Sequence, residues 1–150
     1  MAAVTYPNPK VVNFINGTMI PIQVRFDAQP IATDYNVKWT PTIITLDSDG
    51  KEHHRTVGFL SPEELIPSLL LGIAKVSFDS DLFDSALTNL NRLLSEYPES
   101  NASSETIYLR GVCLYKKTHD AKPLKEAYER LNARNPKDEW TKRAYPYRLL

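Results

Sequence analysis

The chain has 150 residues, a length that accommodates one domain or two small ones. Its 18 Lys and Arg residues balance its 18 Asp and Glu residues, and this net charge of zero argues against a nucleic-acid partner. No apolar run approaches the roughly 20 residues that span a bilayer, and the N-terminus lacks a signal-peptide pattern, so we expect a cytoplasmic protein without a membrane partner. The single cysteine, Cys113, excludes an intramolecular disulfide and a four-cysteine zinc site.

The N-terminal half mixes helical and β-type patterns. Hydrophobic spacing and turn residues predict a helix over 8–16 that Gly17 ends, a strand over 20–26, a short helical connection from Pro30, a strand over 42–46 and a return strand within EHHRTVGF. The sequence DSDG between the last two strands is typical of a hairpin turn, because Asp and Gly adopt the required backbone angles. The start of a calcium-binding loop has a similar pattern to Asp47, Asp49 and Gly50. The further acidic ligands of such a loop are missing here, so a turn is predicted.

The remaining chain has helical patterns only. Ser61, Pro62 and Glu64 form a capping-box pattern that predicts a helix over 61–77. Further helices are predicted within SDLFDSALTNLNRLLSEYP, SSETIYLRGVCLYKK and AKPLKEAYERLNARNP, with a last short helix before Pro146. Cys113 lies in the second of these three sequences and is predicted to be a packed, small hydrophobic side chain.

An internal repeat becomes visible when Pro98 is aligned with Pro136. The alignment pairs Ala86 with Leu124, Leu90 with Tyr128, Leu93 with Leu131 and Gly72 with Gly111. Each unit is then a pair of helices with a glycine where they cross, which resembles the tetratricopeptide repeat over roughly residues 65–150. That resemblance implies a surface that binds peptides or partner helices. Because about three repeats are normally needed for stability, we expect these two to lean on the N-terminal half.

The segment YNVKWTPTIITLDSDGKEHHRTVGFLSPEEL, residues 35–65, resembles the C-terminal half of thioredoxin-fold proteins. It has the order of that family: a residue before a cis-proline, a strand, a charged hairpin, a strand ending in Val-Gly, and a helix. The resemblance implies a cis Thr40–Pro41 bond and a peptide-binding site that comprises Trp39, Thr40, Pro41 and Gly58. The alternatives are a trans proline that opens a strand and a tryptophan that covers a gap in the sheet.

The same resemblance implies that a Cys-x-x-Cys motif and a central strand lie just before the position of Met1. Thiol–disulfide exchange needs an accessible thiolate, so we expect no such catalysis, no catalytic residues and no cofactor in this chain. His53 and His54 are neighbours on a strand and point to opposite faces, so no metal site is predicted. Two interpretations remain open. The chain is either a natural derivative that has lost the thiol–disulfide chemistry or an N-terminally truncated thiol–disulfide oxidoreductase. The family resemblance links the second interpretation to cell redox homeostasis.

The missing central strand would leave a three-stranded remnant sheet. Unpaired strand edges invite another chain, so a homodimer through such an edge is one expectation.

These inferences predict an α+β fold. An incomplete thioredoxin-like βαββα unit, residues 1–76, would pack on a tetratricopeptide-like region of helical hairpins, residues 77–150, with helix 61–77 shared. The predicted function is non-catalytic binding of a protein or peptide partner. The alternative is the truncated oxidoreductase.

Overall fold

The computed structural model describes all 150 residues, Met1–Leu150, and confirms the predicted α+β class. In chain order the elements are α1 (Pro9–Thr18), α2 (Ile31–Asp34), β1 (Thr42–Leu46), β2 (Glu52–Val57), α3 (Pro62–Asp79), α4 (Phe83–Glu96), α5 (Ser103–Thr118), α6 (Lys122–Arg134), α7 (Glu139–Ala144) and a C-terminal 3₁₀ helix (Tyr145–Leu149). The chain divides into two compact units, Met1–Ile66 and Pro67–Leu150. The division falls within α3, whereas the sequence-based boundary lies at residue 76, near the end of this helix. None of the helices is both long and apolar enough to cross a membrane.

Helix α1 begins where the sequence predicts a helix. The Asn8 side chain accepts a hydrogen bond from the Lys10 N–H at 3.0 Å, and Pro9 occupies the first turn, where its missing N–H costs nothing. Val11 and Phe14 form the buried face of this helix. Gly17 does not end it, because the Met19 N–H still donates to the Ile15 carbonyl and the last helical residue is Thr18.

The β-hairpin forms as predicted. Strands β1 and β2 are antiparallel, with Thr42 opposite Val57 and Ile44 opposite Arg55, and the register shifts between Thr45 and Leu46. These two strands are the whole sheet. The hairpin therefore has an unpaired edge on each side.

The predicted strand over 20–26 does not form, so the sheet has two strands and not three. Ile20, Ile22 and Phe26 are 89%, 77% and 67% exposed. Residues 20–24 donate and accept no backbone hydrogen bonds. The alternating pattern is present, but a strand forms only against a neighbour, and no strand of the sheet reaches this segment.

The second unit contains two helix pairs with similar connections. Residues 80–82 join α3 to α4, and residues 119–121 join α5 to α6. Each connection contains a left-handed residue, Asp81 with φ 57° and His119 with φ 58°. At the first connection, Phe78 packs edge-on against Phe83 with ring centroids 5.8 Å apart.

Five of the core positions predicted by the repeat alignment are buried: Ala86, Leu90, Leu93, Leu124 and Leu131. The sixth, Tyr128, is partly buried. Cys113 is fully buried, as its predicted packing role requires. Gly111 lies where α5 and α6 come closest. A Cβ added there would stand 2.7 Å from the Ala127 Cβ and 2.9 Å from the Pro123 carbonyl oxygen. Only glycine allows this approach of the two helices.

The C-terminus packs on α5 and α6. The Tyr108 ring of α5 stacks against the Tyr147 ring, with ring centroids 5.9 Å apart. The centroid of the Trp140 ring lies 5.2 Å from that of Tyr108. The two phenol oxygens of Tyr108 and Tyr147 are 3.1 Å apart, within hydrogen-bonding distance. Burial raises the pKa of Tyr147 to about 12. The segment after Pro136 thus contributes to the hydrophobic core of the second unit.

Candidate functional site

The residues that the sequence assigns to a peptide-binding site meet at the open end of the hairpin. The Thr40–Pro41 peptide bond is cis. The Gly58 N–H donates to the Pro41 carbonyl at 2.8 Å, which continues the pairing of β1 and β2 by one step. Gly58 has a φ of +102°, a backbone conformation that favours glycine, and the space beside its Cα is empty. Pro41 and Gly58 therefore fix the end of the hairpin next to Trp39 and Thr40.

The segment before β1 is tied to the hairpin through Tyr35. Its hydroxyl donates to the Gly50 carbonyl at 2.7 Å, and its own carbonyl accepts from the Arg55 guanidinium at 2.6 Å. Arg55 is held in turn by Glu52, with 2.6 Å between guanidinium nitrogen and carboxylate oxygen, and this hydrogen bond lowers the pKa of Glu52. These contacts anchor one end of the loop that carries Trp39.

The other end of this loop is fixed by Thr42. Its hydroxyl donates to the Trp39 carbonyl at 2.6 Å. The Trp39 side chain is 69% exposed, so it does not cover a gap in the sheet. The N–H and C=O of Thr40 make no backbone hydrogen bond within the protein. Trp39 is thus largely exposed, and the backbone polar groups of the next residue have no backbone partner within the protein.

Trp39 and Thr40 line a shallow, open cavity of about 280 Å³. Its other lining residues are Phe26, Val37 and Lys38. Sequence reasoning did not assign these three to the site. Val37 and Lys38 directly precede Trp39, but Phe26 comes from the segment predicted as a strand, and only the folded chain brings it here. The wall is apolar and aromatic with one cation, a composition that suits a ligand with both apolar and polar parts.

Asp47 organises the closed end of the hairpin. Its carboxylate accepts hydrogen bonds from the backbone N–H groups of Asp49 at 3.0 Å and Lys51 at 2.9 Å. Its second oxygen lies 2.9 Å from Nε2 of His53, whose side chain is almost fully buried. The hydrogen bond to His53, followed by that from the Lys51 backbone, lowers the pKa of Asp47. The acidic turn is therefore a structural device, as the sequence predicts.

We expect acid to weaken the hairpin through Asp47. A carboxyl whose pKa is lowered by folding stabilises the folded state above its ordinary pKa of about 4, and this stabilisation is lost as pH falls through the lowered value. Asp47→Asn should therefore destabilise the protein near neutral pH, and the difference from the native protein should shrink toward about pH 3. Urea denaturation at a series of pH values measures this. Asp49→Asn, in the same turn, is the control. If the difference in the free energy of unfolding between the native protein and Asp47→Asn did not change with pH, the role of Asp47 would be contradicted.

No thiol is available at the cavity. Cys113 is the single cysteine and lies in α5, where its Sγ is 3.5 Å from the Phe83 carbonyl oxygen. Burial raises the pKa of the Cys113 thiol to about 11, so the reactive thiolate is scarce at neutral pH. The chain also contains no group of three or more His, Cys, Asp or Glu side chains placed to hold a metal ion. The residues that line the cavity therefore include no thiol.

Residues 3–71 match a family model described as a thioredoxin-like domain. The chain contains a thioredoxin-like domain. The match covers less than half of the chain: it includes the hairpin, all residues that line the cavity and the first part of α3, and it leaves α4–α7 outside. No curated protein and no solved structure gives a significant match to the chain. The cavity beside Thr40–Pro41 thus lies within the thioredoxin-like domain.

Proposed function

We propose that the protein binds a protein or peptide partner without catalysis, through the cavity of its thioredoxin-like domain. The observation that carries this proposal is the largely exposed Trp39 ring at the cavity wall. A solvent-exposed tryptophan loses apolar hydration when a partner covers it, and tryptophan is among the residues that most often dominate binding energy. Phe26, also largely exposed, widens the apolar wall.

The partner we propose is an extended segment. Thr40 lines the same cavity as Trp39, and its N–H and C=O make no backbone hydrogen bond within the protein, so they are suited to pair with the backbone of such a segment. Backbone pairing supplies affinity without reading sequence, while the apolar wall selects a hydrophobic side chain. The Lys38 ammonium at the same cavity favours a carboxylate next to that side chain.

The absence of catalysis is supported by the state of the only thiol, that of Cys113. Thiol–disulfide exchange requires a thiolate that can reach its substrate, and Cys113 is buried with a raised pKa. A second thiol for an intramolecular disulfide is absent from the chain. We therefore propose a domain that holds its partner and does not reduce it.

We also propose that residues from α3 onward form a tetratricopeptide-like region. Three features support this: two helix pairs with matching connections, buried residues at the aligned core positions, and the close approach of α5 and α6 at Gly111. Stacked helix pairs of this kind offer an extended binding surface. The helical region would then offer a surface for a second partner.

We expect Trp39→Ala to weaken partner binding by at least about tenfold, since removing a central aromatic anchor commonly costs more than 1 kcal/mol. A random peptide library displayed on phage, selected against the native protein, would supply the probe peptides. Their affinities for native and variant protein would be measured by fluorescence polarisation. Backbone amide shifts at Val37–Thr40 on titration would locate the binding site.

Leu82→Ala is the matched control, because Leu82 is also an exposed large hydrophobic residue but lies in the second unit. It should leave the affinity unchanged. If the selected peptides bound Trp39→Ala as tightly as the native protein, the cavity would not be their binding site. Faster reduction of insulin by dithiothreitol in the presence of the protein would contradict the non-catalytic part of the proposal.

A further inference from the structure

The segment 20–26, IPIQVRF, has a strand pattern without a strand partner. Ile20, Ile22, Val24 and Phe26 alternate with Pro21, Gln23 and Arg25, and every one of the seven residues is exposed. The backbone from residue 20 to residue 24 makes no hydrogen bond within the protein. Both the side chains and the backbone of this segment are therefore available to an external strand.

We propose that this strand is the same segment of a second copy, paired antiparallel about a two-fold axis at Gln23. In this register Ile20 lies opposite Phe26 of the second copy, and Ile22 lies opposite Val24. All apolar residues then share one face, and each meets an apolar residue across the ladder. Such cross-strand apolar and aromatic pairs stabilise antiparallel sheets. The symmetry makes the interface self-complementary, as a two-fold dimer requires.

Pro21 fixes which pairs carry the hydrogen bonds. Proline has no N–H, so in a strand it belongs at a position that does not donate to the neighbour. Antiparallel pairs alternate between hydrogen-bonded and non-hydrogen-bonded types. If Pro21 opposite Arg25 is a non-hydrogen-bonded pair, then Gln23 opposite Gln23 is one too. The bonded pairs are then Ile22–Val24 and Ile20–Phe26, whose N–H groups are all present.

The charges also favour a second copy as the occupant. Arg25 is the only charged residue in the segment, and this register places it opposite Pro21, so no like charges meet. In its own chain Arg25 already pairs with Asp27, at 2.9 Å between guanidinium nitrogen and carboxylate oxygen. The net charge of zero adds no long-range repulsion between two copies.

Proline substitutions test the backbone pairing. Val24→Pro removes an N–H that the dimer uses, whereas Gln23→Pro removes an N–H that faces away from the partner strand. Neither N–H is hydrogen-bonded within the monomer, so neither change removes a bond of the fold. Sedimentation velocity over a concentration series measures the dimerisation constant. We expect Val24→Pro to weaken dimerisation by at least about tenfold and Gln23→Pro to change it by less than about threefold. The reason is that two symmetry-related hydrogen bonds are lost only in Val24→Pro.

Cysteine substitutions test the register. Non-hydrogen-bonded antiparallel pairs have Cα atoms about 4.5 Å apart, within the range that a disulfide spans. With oxidised glutathione as the oxidant, which is reduced to glutathione, Gln23→Cys should form a disulfide-linked dimer. Arg25→Cys should not, because its symmetry mate would lie four residues along the ladder, about 13 Å away. The native Cys113 is buried and does not interfere.

Each outcome decides the proposal. A concentration-dependent dimer that is weakened by Val24→Pro and trapped by Gln23→Cys supports it. A native protein that stays monomeric into the high micromolar range overturns it. So does a dimer that both proline variants weaken equally, or one that is trapped through Arg25→Cys and not through Gln23→Cys.

Discussion

Leu131→Ala is expected to lower the free energy of unfolding by about 2–5 kcal/mol, the range for truncating a buried leucine. Leu131 is almost fully buried in α6 and belongs to a core cluster with Ile107, Ala127 and Ala144. Three of these four positions are on α5 and α6, and Ala144 ends α7, so the cavity left by the substitution would lie where these helices meet. Urea denaturation followed by Trp140 fluorescence would measure the loss, in a Trp39→Phe background that removes the other tryptophan.

Leu149→Ala is the control for this prediction. Leu149 is also a leucine near the packed C-terminus, but it is largely exposed. Its truncation should change the free energy of unfolding by no more than about 0.5 kcal/mol. If Leu131→Ala cost less than about 1 kcal/mol, the cluster would not be close-packed and the helical unit would have a looser core than the structure describes.

Gly111→Ala is the second large effect, and we expect it to lower the free energy of unfolding by about 1–3 kcal/mol. Alanine is the better helix former by up to about 1 kcal/mol, so helix propensity alone predicts the opposite sign. The added Cβ would meet the Ala127 Cβ at 2.7 Å and the Pro123 carbonyl oxygen at 2.9 Å, and the second of these atoms is backbone and cannot rotate away. Helices α5 and α6 must therefore separate. The same Trp140 signal reports the change.

Gly17→Ala is the matched substitution with the opposite expectation. Gly17 lies inside α1 with no atom within 4 Å of an added Cβ. The same change should therefore stabilise the protein, by up to about 0.5–1 kcal/mol, as read by far-ultraviolet circular dichroism. A combined Gly111→Ala and Ala127→Gly variant should recover part of the loss, because the closest Cβ contact is removed. Equal effects of alanine at both glycines would show that the contact at Gly111 does not limit helix packing.

Local patterns predict most elements of this fold because the interactions that form them are local. The turn DSDG joins β1 and β2 through bonds made within the turn by Asp47. The helices follow from 3.6-residue spacing, and the aligned repeat positions are buried because helix pairs of similar length hide the same face. The strand over 20–26 is the counterexample. Its apolar residues alternate regularly with other residues, yet whether the strand forms depends on a partner that is distant in sequence or on another chain.

The candidate site divides in the same way. Trp39, Thr40, Pro41 and Gly58 could be named in advance because the family motif places them near a proline and at the end of a strand, and they do lie together at one end of the hairpin. Phe26 could not be named, since it lies well before Trp39 in sequence and reaches the cavity through a segment without regular structure. No local pattern encodes such a contact.

The amino-acid sequence alone determined the helical and hairpin elements, the repeat of helix pairs and the lack of a second thiol, because each depends on residue identity or on spacing over a few turns. Only the tertiary structure decided that Trp39 is exposed, that Gly111 is the point where α5 and α6 touch, and that residues 20–26 have no partner. Burial and pairing join residues that are remote along the chain, and their free energy exists only once those residues meet.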